Sequence, residues 1–528
     1  MRKIYRLSFF LPFYLMLLSG TDGFCQTWEV FDRNFNLEKK ISPGNIYLLG
    51  NSLRINVWEN DLSFLDPEYR PFITVDSASL YQYLEPWIII ENNGQYGAFH
   101  EYGEQVLPPI YDEISTFYTH LLARKGREYF IYDRGKRTTS SIGTFAHARL
   151  AKNGQVISQL ADGSYALPLS PHPDNRFQSL VDPGPDAIIS QEATGFGLIN
   201  RDGEYILDPI IDEINHLEGN YYFGKNEKEY LLIDALSTDA DIRYNSFHRI
   251  SIEEGVMLEY IHGKLRRIMK NDGILLDIVG MDSVRKINDH YNVHFRDATT
   301  GLLSSQGKWE VRPTEAASLL LPGNEGLFGA KMGEQFGYVD AAGNWVIDSE
   351  YDQIEPFSEG LAAVKSGSKW GYINSSNEWS TPLAYEWAGQ FTSHGVAIVK
   401  EDSGAHLIDA SGNKLLPVSA DRISRTQDGY YLLEKEGLLG IAKPDGQLIS
   451  LPQFEEIRRE GMDRILIRKG ANYGVMRENG DYVLPLYYSR ILFDEENDTI
   501  LAESMQIEIE PVEKLEGRKA RKKKTKGA

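Results

Sequence analysis

His290 and His294, in the run DHYNVH, have the spacing at which a helix turns two rings towards one metal. The glutamate of a zinc-protease motif is missing between them. The surrounding residues alternate as a strand does, so the rings share a face without converging, and no metal set is expected. A second candidate is a recurring acidic position: Asp112, Asp212, Asp352, Glu386, Asp421 and Glu455. Calcium prefers carboxylate oxygens but needs several of them at one point, and no D-x-D-x-D-G loop occurs. These acids are expected to cap local backbone groups in turns. Tyr385, Trp387 and Trp379 offer rings that would stack on sugars or grip a peptide if exposed, and would fill core if not. No nucleophile elbow, phosphate loop or cysteine–histidine pair is present. Carboxylates are plentiful, which leaves a glycosidase pair open, although no context marks one. The expectation is therefore no catalytic residue, no metal ligand and no cofactor.

The elements that would carry such residues are β-strands. A chain of 528 residues is too long for one ordinary core, so several domains or a repeat array are expected. Hydrophobic residues at 42% and charged residues at 25% are those of a folded protein, and 30 tyrosines favour pleated faces. The net charge of −21 argues against nucleic acid, which calls for basic stripes.

At the N-terminus, MRKIYRLSFFLPFYLMLLSG has a basic start and an apolar run from Leu7 to Leu18, followed by small and polar residues. Residues 1–25 read as a secretory signal peptide, too short in its apolar part for a comfortable membrane span. Cys25 is the only cysteine. Phe24 directly before it is not the small residue that a lipoprotein signal wants, and cleavage after Cys25 leaves a mature chain without thiols. Such a chain is expected to rely on packing alone, and not to be an integral membrane protein.

The run KWGYINSSNEW sets Trp370 beside Gly371 at the head of a short strand, and the arrangement recurs. Gly337, Gly371, His406, Gly440 and Gly474 stand 34 or 35 residues apart. Upstream the series continues through Gly301, Arg267, Leu231 and Gly197, then in weaker copies through Ser164, Phe130, Gly97, Ser63 and Glu29. A second glycine lies six residues on in many copies, as at Gly343 and Gly446, and the Tyr-Asp type pair lies fourteen on, as at Tyr351-Asp352. About fourteen units fill the chain as far as Leu501. The Trp-Gly pair reads as a knob between units and its clearance, since glycine admits a close backbone or ring. The following D-A-A-G is a hairpin loop, and prolines such as Pro108, Pro209 and Pro485 are expected to end the next strand. Each unit is thus expected to supply about three short strands.

These marks resemble the WG-repeat family of bacterial proteins, most closely from Gly337 to Tyr385. The resemblance implies a repeat scaffold and transfers no catalytic residue. The expected fold is all-β: tandem ~34-residue units of short antiparallel strands, stacked in a curved superhelical or propeller-like array. The structural anchors are Gly97, Gly197, Gly301, Gly337, Trp370, Gly371, Gly440 and Gly474. The organisation expected is a signal peptide at 1–25, degenerate repeats at 26–95, divergent ones at 96–322, well-matched ones at 323–501, and a basic disordered tail at 502–528. Function is expected to be that of an exported, non-enzymatic scaffold, periplasmic, cell-surface or extracellular. It would bind an unidentified protein or glycan partner at the cell envelope. The alternative is an envelope hydrolase or carbohydrate-binding protein with a site spanning several repeats.

Overall fold

A computed structural model describes residues 25–506, apart from 42, 43, 51, 52, 59, 237–239, 254, 272 and 462. The expected signal peptide as far as residue 24, and the expected tail from 507 onwards, lie outside the described residues. Among the described residues every helix or strand element is a β-strand. They form fourteen antiparallel sheets, four-stranded except for three-stranded sheets at 147–166 and 387–408. Within each sheet other than the closing one, strands follow in chain order as a meander.

The sheets form a propeller-like ring. Fourteen buried apolar clusters each join two consecutive sheets, and one of them joins the last sheet to the first. The closing sheet is composite: Cys25–Asp32 and Leu37–Ile41 from the N-terminal end pair with Thr499–Gln506 and Arg490–Asp494 from the other. Trp28 thereby faces Glu503, and Val30 faces Leu501. Closure leaves no sheet with an unpaired face, which small sheets of this size need for stability. The strand Thr499–Gln506 also carries residues 502–506, expected above to belong to the tail, because Cys25–Asp32 supplies their hydrogen-bonding partners.

Each repeat anchor named above falls in the third strand of its sheet, except Ser164, which directly precedes Tyr165–Ala166. Units have four strands rather than the three expected. The additional one begins a single residue after the acidic position, as in Glu113–Phe117, Glu213–His216 and Glu456–Glu460. At 112, 212, 352, 386, 455 and 489 a one-residue link turns the last strand of one sheet directly into the first strand of the next, and YDxI reads as a turn because the two strands abut.

The glycine has a more specific task than admitting a neighbouring unit. Phe336 pairs with Tyr351 but Tyr338 pairs with Ile347, so three residues of the fourth strand oppose Gly337 alone. This bulge folds over the glycine: a Cβ on Gly337 would lie 2.4 Å from the Ile347 carbonyl oxygen and 2.5 Å from that of Asp348. Gly97, Gly197, Gly440 and Gly474 meet the same bulge backbone at 2.6–2.9 Å, and Gly371 meets Trp379 at 2.8 Å and the Pro382 oxygen at 2.9 Å. Gly301 is met instead by the Trp309 ring at 2.5 Å. Where the anchor is Ser63, Phe130, Leu231 or Arg267, the register slips by one residue near it and no wide bulge forms. Proline is the bulge residue itself at Pro108, Pro209 and Pro485. Contrary to expectation it does not end the strand, which runs on to Tyr111, Ile211 and Tyr488, since a bulge tolerates a missing donor.

Candidate functional site

At three of its six positions the recurring acid caps a hairpin. Asp112 Oδ2 accepts the Gly126 N–H at 2.6 Å, Asp352 that of Gly367 at 2.6 Å, and Asp421 that of Glu436 at 2.7 Å. Each acceptor thus satisfies the turn between the second and third strands of its own sheet. Glu455 instead accepts from Arg468 at 2.6 Å, and the N–H of Glu386 donates to the Lys400 carbonyl at 2.7 Å. The Asp212 N–H donates to Asn226 Oδ1 at 3.1 Å. The hairpin loops are capped in the same manner by Asp340 and Asp409, whose hydrogen bonds, to Asn344 and Asn413 foremost, hold both carboxyls below the usual range.

His290 and His294 lie on one strand, His290–Phe295, and go to separate partners: His290 Nε2 to Glu310 at 2.9 Å, and His294 Nδ1 to Thr300 at 3.0 Å. Burial lowers the pKa of His294. Among the described residues no group of three or more His, Cys, Asp or Glu is arranged to hold a metal ion.

The three aromatic candidates separate. Tyr385 is buried between two sheets with Trp370, Tyr372 and Phe391. Trp379 lies over Gly371, edge-on to Tyr351 at 6.3 Å. Trp387 is 45% exposed and lines a groove of about 440 Å³. That groove crosses three consecutive sheets, from Leu321 and Phe336 through Gln353 and Glu355 to Glu386 and Trp387, with Lys365 and Trp370 at its side. Its lining comes from equivalent places in successive units: Phe336 and Trp370 are second in their third strands, while Gln353 and Trp387 each follow the recurring acidic position. The indole leans over Gly389, where a Cβ would come within 2.8 Å of its Cη2. The Gly389 carbonyl accepts the Tyr372 hydroxyl at 2.6 Å, and burial raises the pKa of that phenol strongly. Sequence reasoning named Trp387 and Glu386 but not Gln353, Glu355 or Lys365. The signal available for Gln353 is its place 34 residues before Trp387.

A second polar cluster holds the ring closed. Arg54 Nε donates to Asp494 Oδ2 at 2.5 Å, the Tyr69 hydroxyl donates to the same oxygen at 2.6 Å, and Arg54 also reaches Glu496 at 3.1 Å. Arg54 is 3% exposed and Asp494 5%. Burial pushes the Asp494 carboxyl up, but the hydrogen bonds from Arg54 and Tyr69 outweigh it and hold the carboxyl below its ordinary value. Burial, aided by Asp494, pushes the Tyr69 phenol up to about 12.

Four segments, residues 96–119, 196–230, 336–370 and 370–403, match the family described as WG containing repeat. Those four segments therefore carry WG containing repeats, and the groove lies mainly within the last two of them. No curated protein matches the sequence. Among solved structures, it is similar to the extracellular domain of the putative one component system BT4673 from B. thetaiotaomicron, with 11% identity over 87% of this chain and 80% of that one, at a TM-score of 0.18. The computationally designed Ika8 protein shares 7% identity over 50% of this chain and 93% of its own, at a TM-score of 0.22. The tricorn protease shares 9% over 74% and 46%, at a TM-score of 0.20.

Proposed function

We propose that this protein is an exported, non-enzymatic scaffold that binds a protein or glycan partner at the cell envelope through the groove around Trp387. One observation carries the reading: a half-exposed tryptophan stands in a mixed apolar and polar groove that crosses three consecutive sheets. The basic and then apolar opening of the sequence supports export. Among the described residues no helix is long and apolar enough to cross a membrane.

The experiment is capture from envelope extract with the chain from Gln26 onwards, with and without Ca²⁺. A partner retained by the native chain and lost with Trp387→Ala is the expected result. Capture of no partner, or equal capture by the variant, overturns the reading.

A hydrolase is the second reading, favoured by the presence of both Glu355 and Glu386 in the groove. Release of new reducing ends from cell-wall saccharides by the native chain, abolished in Glu386→Gln, would replace the scaffold with that enzyme.

A further inference from the structure

The residue directly after the capping acid occupies one slot in every well-formed unit, at the start of the first strand. In four sheets this slot holds one half of an ion pair with the residue opposite it on the second strand. Glu113 faces Arg124 at 3.2 Å, Glu213 faces Lys225 at 4.0 Å, Arg422 faces Glu434 at 3.8 Å and Glu456 faces Arg468 at 3.3 Å. Gln353 faces Lys365 in the same register. At 387 the cation is kept, as Lys400, but the residue opposite it is a tryptophan.

Nothing in the packing of the sheet calls for an indole there. The slot is solvent-facing wherever a charged residue fills it, and Trp387 remains 45% exposed. The apolar core of that junction is already formed by Trp370, Tyr372, Tyr385, Ala388 and Phe391. Replacing an ion-pairing side chain with an exposed indole gives up solubility and a cross-strand pair, so the ring serves something outside the sheet.

From this departure we infer that Trp387 is the stacking platform of a carbohydrate subsite, resting on the scaffold reading above and naming its ligand as a neutral pyranose. An indole face is flat, apolar and electron-rich, which suits the C–H face that a sugar with equatorial hydroxyls presents. The hydroxyls around such a ring's edge need acceptors and donors in nearly equal supply. The groove offers the carboxylates of Glu355 and Glu386, the amide of Gln353 and the ammonium of Lys365. A volume of about 440 Å³ suits one or two sugar rings better than a folded protein surface. Gly389 leaves room for the indole, since a Cβ there would lie 2.8 Å from Trp387 Cη2.

The test uses Trp387→Glu, which restores the charge found at this slot elsewhere and gives Lys400 a partner, so the fold is expected to be kept. Trp58→Ala removes an indole of similar exposure outside the groove and is the control. The chain from Gln26 onwards is run through native gels containing β-glucan, xylan or mannan, and the matching oligosaccharide is then titrated calorimetrically. Expected is retardation by at least one polysaccharide, a loss of affinity of about tenfold or more in Trp387→Glu, an unchanged melting temperature, and no change in Trp58→Ala. Retardation by none of the three, or equal retardation of Trp387→Glu, overturns the inference. Capture of an envelope protein that Trp387→Glu abolishes, without any polysaccharide retardation, sinks the carbohydrate assignment while leaving the scaffold standing. Failure of both assays sinks both.

Discussion

The junction between the sheets at 319–351 and 353–385 is apolar and continuous in sequence. Tyr338, Ile347, Tyr351, Phe357 and Val364 fill it, with the Tyr338 and Phe357 rings 4.7 Å apart. The seam between the closing sheet and the sheet at 45–75 has an apolar part too, with Trp28, Val30, Ile46 and Leu501, but at its heart stands the pair of Arg54 and Asp494, 440 residues apart. The difference follows from how each junction is made. The sheets at 319–351 and 353–385 are delivered to each other by the single residue Asp352, so shape alone suffices there. The seam must select one strand edge among many sheets of similar shape, and a buried ion pair that only one partner satisfies can enforce that choice.

If the seam is the polar lock and the regular junctions are the packed filler, substitutions should rank accordingly. Asp494→Ala removes the carboxylate that Arg54 Nε and Nη2 both bond in a buried site and is expected to destabilise by about 3–5 kcal/mol. Urea unfolding would measure it, and a variant as stable as the native chain would remove the lock from the account. Gly337→Ala drives a Cβ into two carbonyl oxygens of the bulge and should lose about 2–3 kcal/mol. Gly371→Val is expected to lose a similar few kcal/mol, partly relieved because Trp379 can move; an unchanged melting curve in either would refute the bulge explanation. Asp352→Ala frees the Gly367 N–H at an exposed turn, and about 1 kcal/mol is expected from the shift in the urea midpoint.

The smallest effects are those of pH. Asp494, Asp340 and Asp409 titrate below their ordinary value in the folded chain, so each adds stability above the unfolded carboxylate pKa of about 3.9 that is lost as pH falls through the folded value. Tyr69, raised to about 12, adds stability present below the unfolded phenol pKa and lost as pH rises towards about 12. Melting temperatures followed across both limits should fall at each end. Asp494→Asn should flatten the acid limb more than Asp340→Asn does; the reverse order would make the loops, rather than the seam, the acid-sensitive element.

Much of this architecture was legible because its causes are local. Third strands, hairpin loops and capping acids recur with the same residues at the same intervals, and each is satisfied within its own unit, as Asp340 is by Asn344. The first strand was not legible, since it is as short as Gln353–Ile354 and joins its predecessor through one residue. The glycine was correctly a point of close approach, but its neighbour is the bulge of its own sheet, which pairing register reveals and composition does not. In the site, Trp387 could be named from its type, whereas its exposure and the burial of Tyr385 could not, because Tyr385 ends one sheet and Trp387 begins the next, only two residues on.

Short-range periodicity dictates that this chain makes small sheets, in what number and with which turns, because each unit's hydrogen bonds are met within about 34 residues. Whether the row of sheets stays open or meets itself is settled only when Cys25–Asp32 slots beside Thr499–Gln506 and Arg54 finds Asp494. Those contacts join residues from opposite ends of the sequence. Their geometry depends on the small rotation between neighbours accumulated over fourteen sheets, a sum that no single unit encodes.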